Sequence, residues 1–156
     1  MKYERETCNL LRRLGVNNSY KGFRYTAYGV EMCIRDSLTN PAPSQPVGLL
    51  AESINMEFGS FQDFQNQFKT AALSVFGSGY AWLVVNAVGQ LAIITTKNQD
   101  TPLPLGMCPV LNLDVWEHAY YLKHYNLRGD YIDDWFHVVN WKNANSSYRR
   151  CFGMEP

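Results

Sequence analysis

Between Val110 and Tyr125 the apolar residues change period within a single residue, which restricts the chain to folds in which a strand runs directly into a helix. Val110, Leu111 and Leu113 suit the end of a strand, whereas Val115 to Tyr125 carries helical spacing. Asp114 stands at the joint, and His118 follows four residues later, about one helical turn on. Two readings fit. In one, Asp114 is an N-cap, Glu117 reaches back to complete a capping box, and His118 is a polar residue of the first turn. In the other, Asp114 and His118 are oxygen and nitrogen donors to a redox metal, a donor set that needs a third residue and often a fourth. On spacing alone the cap is the simpler reading.

The segments before and after this joint alternate between the same two periods. Val47 to Phe58 has helical spacing at Leu50, Ile54 and Phe58 and is stopped by Gly59. Ser60 suits the cap of a second helix that places Phe61, Phe64, Phe68, Ala71 or Ala72, and Val75 on one face. Both stripes read as core. Gly77-Ser78-Gly79 punctuates the entry into Tyr80 to Asn86, and Ala87-Val88-Gly89 turns the chain into Gln90 to Thr96, a β-branched and aromatic hairpin. Beyond the joint, Leu122 to Asn126 continues a helix and Asp130 caps another that begins near Arg128. Trp135, Val138, Val139 and Trp141 complete that helix and the stretch after it, and His124 and His137 read as boundary or surface residues.

Fourteen basic and fourteen acidic residues give a formal net charge of zero, which argues against a nucleic-acid partner. Cys8, Cys33, Cys108 and Cys151 are scattered without a Cys-x-x-Cys pair, so neither a zinc ribbon nor a disulfide framework is expected and a reducing cytoplasm fits. No apolar run has the length of a membrane span, and Met1 to Glu6 lacks a secretory signal.

Asp114-Val-Trp-Glu-His-Ala-Tyr-Tyr121 closely resembles the signature of the iron/manganese superoxide dismutases. By that resemblance Asp114 and His118 bind manganese or iron, Trp116 lines the site, Glu117 bridges to a partner subunit's histidine ligand, and Tyr121 lies at the interface of a homodimer. The register extends from Leu38 to about Asn143. Gly77 to Val84 resembles the family's Gly-Ser-Gly-Trp-Ala-Trp-Leu-Val with Tyr80 in place of the first tryptophan, which walls the cavity. Gln99 matches the glutamine that bonds metal-bound solvent in manganese-type enzymes, and Arg128 an arginine at the substrate entrance. Gly129 stands where the family usually has proline. The implied fold is α+β, a small antiparallel three-stranded sheet packed with helices, and the implied activity is disproportionation of superoxide to hydrogen peroxide and oxygen.

In that family two further histidines and a tyrosine come from an N-terminal helical hairpin, whereas no histidine precedes His118 in this sequence. Val30 to Ser37, Val-Glu-Met-Cys-Ile-Arg-Asp-Ser, resembles a peptide found at false junctions in assembled short-read sequence, and Leu10 to Tyr25 weakly resembles the opening of the helical effector domain of sporulation response regulators. The expected organisation is therefore a foreign or misjoined segment over residues 1–37 and a dismutase C-terminal domain over residues 38–156, with the hairpin missing. Two outcomes for function are carried: a dismutase chain short of two ligands, or a non-catalytic remnant or interaction domain without metal.

Overall fold

The computed structural model describes residues 45–155, and the readings made above for residues 1–44 lie outside that range. Helices α1 (Gly48–Phe58) and α2 (Phe61–Ser74) lead into strands β1 (Gly79–Val85) and β2 (Leu91–Lys97). A short 3-10 turn at Leu103–Leu105 precedes β3 (Cys108–Asp114), and α3 (Glu117–His124), α4 (Arg128–Phe136) and α5 (Trp141–Cys151) close the domain. The three strands form one antiparallel sheet in the order β2-β1-β3. This is the α+β architecture that the changes of period and the family resemblance together implied.

The α1–α2 corner follows from local chemistry. Gly59, at φ 91°, donates its N–H to Asn55 O at 3.0 Å, and the Ser60 hydroxyl accepts from the Asp63 N–H at 3.0 Å, so one residue ends a helix and the next begins another. The faces these helices bury are those read from the spacing: Leu50, Ile54, Phe64, Phe68 and Ala72 are all fully buried. Phe64 and Phe68 meet Trp135, Phe136 and Trp141 from α4 and α5, with Phe68 and Trp135 stacked at 5.6 Å. Across the domain, Leu50 N–H donates to Asn145 Oδ1 at 3.0 Å and Ser53 Oγ meets the Tyr148 hydroxyl at 2.8 Å, fastening α1 to α5.

Strand β1 is central and, apart from Tyr80, buried along its length, as its run of Ala81, Trp82, Leu83, Val84 and Val85 requires. The β1–β2 turn is organised by Asn86, whose Oδ1 accepts from the N–H groups of Val88 and Gln90. Gly79 opens β1 where no side chain fits: a Cβ there would lie 2.1 Å from the Thr96 carbonyl oxygen and 3.0 Å from Val75 Cγ1. The same residue accepts the Val115 N–H at 3.0 Å and so anchors the end of β3. Gly79→Ala is expected to cost about 3 kcal/mol, the upper part of the range for overpacking. Urea melts check the size, and a midpoint unchanged from the parent would show that β2 moves aside freely.

Several local boundaries differ from the sequence reading. Helix α3 starts at Glu117 with Trp116 in the cap position and no side-chain cap, so Asp114 and Glu117 form no capping box. The reason is that Val115 is held in the sheet by Gly79, which delays the helix by two residues. Helix α3 ends at His124, because Tyr125 turns to φ 51°, rather than continuing to Asn126. Helix α4 begins at Arg128, which puts Asp130 inside its first turn instead of at the cap. After Phe136 a new helix begins at Trp141, capped by Asn140 Oδ1 on the Asn143 N–H at 3.1 Å.

The cysteines also differ from expectation. Cys108 and Cys151 form a disulfide across a sequence separation of 43 residues, joining the start of β3 to the end of α5. Spacing could not reveal the pair, since only the packing of α5 on β3 brings the two together. The argument from cysteine usage to a reducing cytoplasm thereby loses its premise.

Candidate metal centre

Strand β3 delivers Asp114 to the edge of the sheet, opposite Tyr80 of β1. There the Asp114 carboxylate has two partners: Oδ1 accepts the Trp116 N–H at 2.8 Å, and Oδ2 lies 3.0 Å from His118 Nε2. The first bond bends the chain back after the strand, as aspartate does in local side-chain turns, and this sets the first turn of α3 beside the carboxylate. His118 then reaches Oδ2 from the position one helical turn further on.

The two donors differ in exposure. The Asp114 side chain is 17% exposed and that of His118 is 66% exposed. Burial pushes the Asp114 carboxyl above the usual carboxylate range, while the Trp116 N–H and then His118 act in the opposite direction. A desolvated carboxylate facing an open imidazole has oxygen and nitrogen donor chemistry that a cation could use.

The remaining sequence candidates divide into those brought to this pair and those that are not. Trp116 packs against His118 with ring centroids 5.7 Å apart, and its indole N–H donates to the Asn98 carbonyl at 3.3 Å. The turn after β2 is thereby tied to the joint. Gln99 follows Asn98, and its Oε1 accepts the Tyr80 hydroxyl at 3.2 Å. Tyr80 packs against Trp82 at 5.6 Å, and Trp82 is buried with its indole N–H on Thr96 Oγ1 at 2.9 Å. Tyr80, Gln99, Trp116, Asp114 and His118 thus occupy one end of the sheet.

Glu117 and Tyr121 are exposed on α3, Tyr121 packing edge-on against Tyr125 at 6.2 Å. Arg128 does something else. Its guanidinium donates to the main-chain carbonyls of Val75 at 2.5 Å and Gly77 at 3.0 Å and, through Nε, to the Tyr120 hydroxyl at 3.2 Å. It clamps the α2–β1 loop to α3 and pairs with no carboxylate among the described residues. His124 is a packed residue, 12% exposed, near Asp134 and Tyr131, and His137 lies across α4 beside Phe61 and Gln62. Asp134 is held below the usual carboxylate range chiefly by its hydrogen bond from Lys123.

Two residues that sequence reasoning passed over belong to the neighbourhood. The Tyr131 hydroxyl donates to the Asp114 main-chain carbonyl at 3.0 Å, and Asn98 supplies the carbonyl that Trp116 holds. Neither carries a local signal, apart from the φ of 49° at Asn98 that marks a tight turn.

The donor pair was tested against a manganese or iron ion by its own geometry. Donors about 2.1 Å from one ion lie about 3.0 Å apart when they subtend a right angle. The separation of Asp114 Oδ2 and His118 Nε2 is 3.0 Å, so they fit two adjacent positions of one such ion. Among the described residues no third histidine, cysteine, aspartate or glutamate joins them. The pair fits two positions of such an ion, and the described residues offer it no further donor of these types.

Comparison with known proteins identifies the family of this domain. Residues 46–147 match the family described as iron/manganese superoxide dismutases, C-terminal domain. A manganese superoxide dismutase from Leptolyngbya boryana is 50% identical over 105 residues, covering 67% of this chain and 44% of that protein. Its counterpart from Listeria innocua is 56% identical over 103 residues, covering 66% of this chain and 50% of that protein. One from Listeria ivanovii is 51% identical over 112 residues, covering 72% of this chain and 55% of that protein. The chain spans about half the length of the curated relatives it matches. With the α+β fold, the Asp114–His118 pair at the strand-to-helix joint and this match over residues 46–147, the chain belongs to the iron/manganese superoxide dismutase family through its C-terminal domain.

Proposed function

We propose that this domain carries one half of a superoxide dismutase metal centre, with Asp114 and His118 as its two donors and the remaining donors due from a segment other than residues 45–155. The observation that carries the reading is the approach of Asp114 Oδ2 to His118 Nε2 at 3.0 Å within a sequence that the family matches. A manganese or iron ion in the completed site supplies the one-electron chemistry by which two superoxide ions and two protons become hydrogen peroxide and oxygen. This chain's residues then have definite tasks. Asp114 offers a carboxylate held by the Trp116 N–H, Trp116 covers one side of His118, and the Tyr80–Gln99 hydrogen bond holds a polar group at the same end of the sheet. Glu117 and Tyr121, exposed on α3, are the residues through which a second copy would meet the site. Arg128 acts as a clamp on the α2–β1 loop, and its place at the substrate entrance rests on the family resemblance.

The second reading, a remnant or interaction domain without metal, is favoured by the two-donor count among the described residues. One experiment separates the two. The 156-residue chain, purified with manganese or iron supplied, is expected to hold well under one ion per chain by mass spectrometry and to remove superoxide no faster than the free ion. A hybrid is then made by joining residues 38–156, the stretch read here as the dismutase portion, to the half of the Listeria innocua relative that this chain does not span. It is expected to take up one ion and turn over, with both properties lost in Asp114→Ala and His118→Ala. A folded hybrid that stays metal-free would sink the dismutase reading and leave the remnant. Stoichiometric metal and turnover in the unmodified chain would show that it completes the site itself.

A further inference from the structure

The chemistry of the joint depends on where the Asp114 carboxylate points, and that depends on a main chain about to leave the sheet. Pairing of β3 with β1 ends at Tyr80 and Asp114, and the next residue, Val115, is held by Gly79. On the helical side the Asp114 carbonyl oxygen receives the hydroxyl of Tyr131 at 3.0 Å, from the first turn of α4 and 17 residues further along the chain. That tyrosine is itself braced. Its ring stacks on Tyr120 at 5.3 Å, the Tyr120 hydroxyl is held by Arg128 Nε at 3.2 Å, and the guanidinium lies 5.6 Å over the Tyr120 ring. The other arms of Arg128 end on the carbonyls of Val75 and Gly77, in the loop that leads to Gly79. The brace therefore grips the joint from both sides: Gly79 from the sheet and Tyr131 from α4.

We propose that Tyr131 is a positioning residue for Asp114, its hydroxyl fixing the strand end so that the carboxylate faces His118 and caps the Trp116 N–H. The proposal rests on the reading of Asp114 and His118 as a donor pair for its functional meaning, while its physical content does not need the metal. Rigid support of a ligand by a neighbouring hydrogen bond is how outer residues tune a metal site. Tyr131 does so through the main chain of Asp114, which leaves Oδ1 to the Trp116 N–H and Oδ2 to face His118. The stacked Tyr120 ring limits the swing of the phenol, so the bond is presented without a large ordering cost.

The test uses Tyr131→Phe, which keeps the stacked ring and removes one hydroxyl, in the full chain. The first readout is hydrogen exchange of the Trp116 amide, which reports the Asp114 Oδ1 contact directly. Its protection is expected to fall about tenfold beyond any change at Leu83 in the middle of β1, the scale of one lost hydrogen bond. Ile132→Val, at a fully buried neighbour on α4, is the control for a merely structural loss and should leave the ratio of the two amides unchanged. Tyr120→Phe, which removes the hydroxyl held by Arg128, should move the ratio in the same direction by less, and it keeps the test usable if Tyr131→Phe unfolds. The second readout is the broadening of the His118 ring signals by added Mn²⁺, whose apparent affinity is expected to weaken at least about threefold in Tyr131→Phe. Unchanged Trp116 protection in Tyr131→Phe, or an equal loss in Ile132→Val, overturns the proposal. If Mn²⁺ leaves His118 unaffected in the parent chain while Tyr131→Phe still releases the Trp116 amide, the positioning role stands and the donor-pair reading is what falls.

Discussion

Phe64→Ala is expected to lower the free energy of unfolding by about 3–5 kcal/mol, the range for removing a buried phenylalanine ring. Phe64 is fully buried at the meeting point of α2, α4 and α5. Its ring lies 5.3 Å from Phe58, 5.6 Å from Phe68, 6.2 Å from Phe136 and 6.5 Å from Trp141. Two of these pairs, with Phe136 and Trp141, are edge-on, an arrangement that adds to the area term and that alanine cannot replace. The aromatic neighbours are stiff and packed against each other, so the cavity does not collapse easily. Domains of this size are commonly stable by about 5–15 kcal/mol, so the variant would keep about 0–12 kcal/mol and approach half unfolding only if the parent lies at the low end of that range. Urea denaturation monitored by tryptophan fluorescence gives the value. Phe76→Ala, at a ring that is 98% exposed, is the comparison and should change stability by less than about 0.5 kcal/mol. A Phe64→Ala midpoint equal to that of Phe76→Ala would contradict the assignment of Phe64 to the core.

Reduction of Cys108–Cys151, or its removal by the double substitution to serine, is expected to cost about 4 kcal/mol. The bond closes a loop of 43 residues, and the chain-entropy relation gives about that value for such a loop in the unfolded state. Strain in the folded state would make the measured loss smaller, so 2–4 kcal/mol is the working range. The loop runs from the start of β3 through α3 and α4 to the end of α5, and so encloses Asp114, His118 and Tyr131. Denaturant titrations with and without a reductant measure the effect, and a thiol titration of the denatured chain shows whether the pair was closed. Two forms with the same midpoint, one demonstrably reduced, would show that α5 is held on β3 by packing alone.

How much of the molecule could be read from its residues differs between the frame and the site. The strand segments, the two N-terminal helices of the described region and the strand-to-helix joint were legible, because each depends on local apolar spacing, whereas their joining into one three-stranded sheet was implied by the family resemblance. Ser60 and Gly59 carried the α1–α2 corner for the same local reason. The start of α3 was not legible, since the N–H of Val115 is taken by Gly79, a residue from another strand. Arg128 shows the limit from the other direction. Its resemblance to an entrance arginine was readable, and its actual bonds to Val75 and Gly77 were not.

The donor reading of Asp114 and His118 came from the family resemblance, whereas the sequence by itself determined the periods of the elements and the turns at residues 59–60 and 87–89. These depend on side chains acting on their own backbone within a few residues. Only the tertiary structure decided that Asp114 Oδ2 stands 3.0 Å from His118 Nε2, that Tyr131 holds the Asp114 carbonyl, that Trp116 ties down the turn at Asn98, and that Cys108 meets Cys151. The partners of those last three contacts are 17, 18 and 43 residues apart, and what joins them is the packing of α4 and α5 and the register of β1 between β2 and β3. Such contacts come from the burial of shared apolar surface, which fixes which faces meet without leaving a local mark on the residues that end up touching.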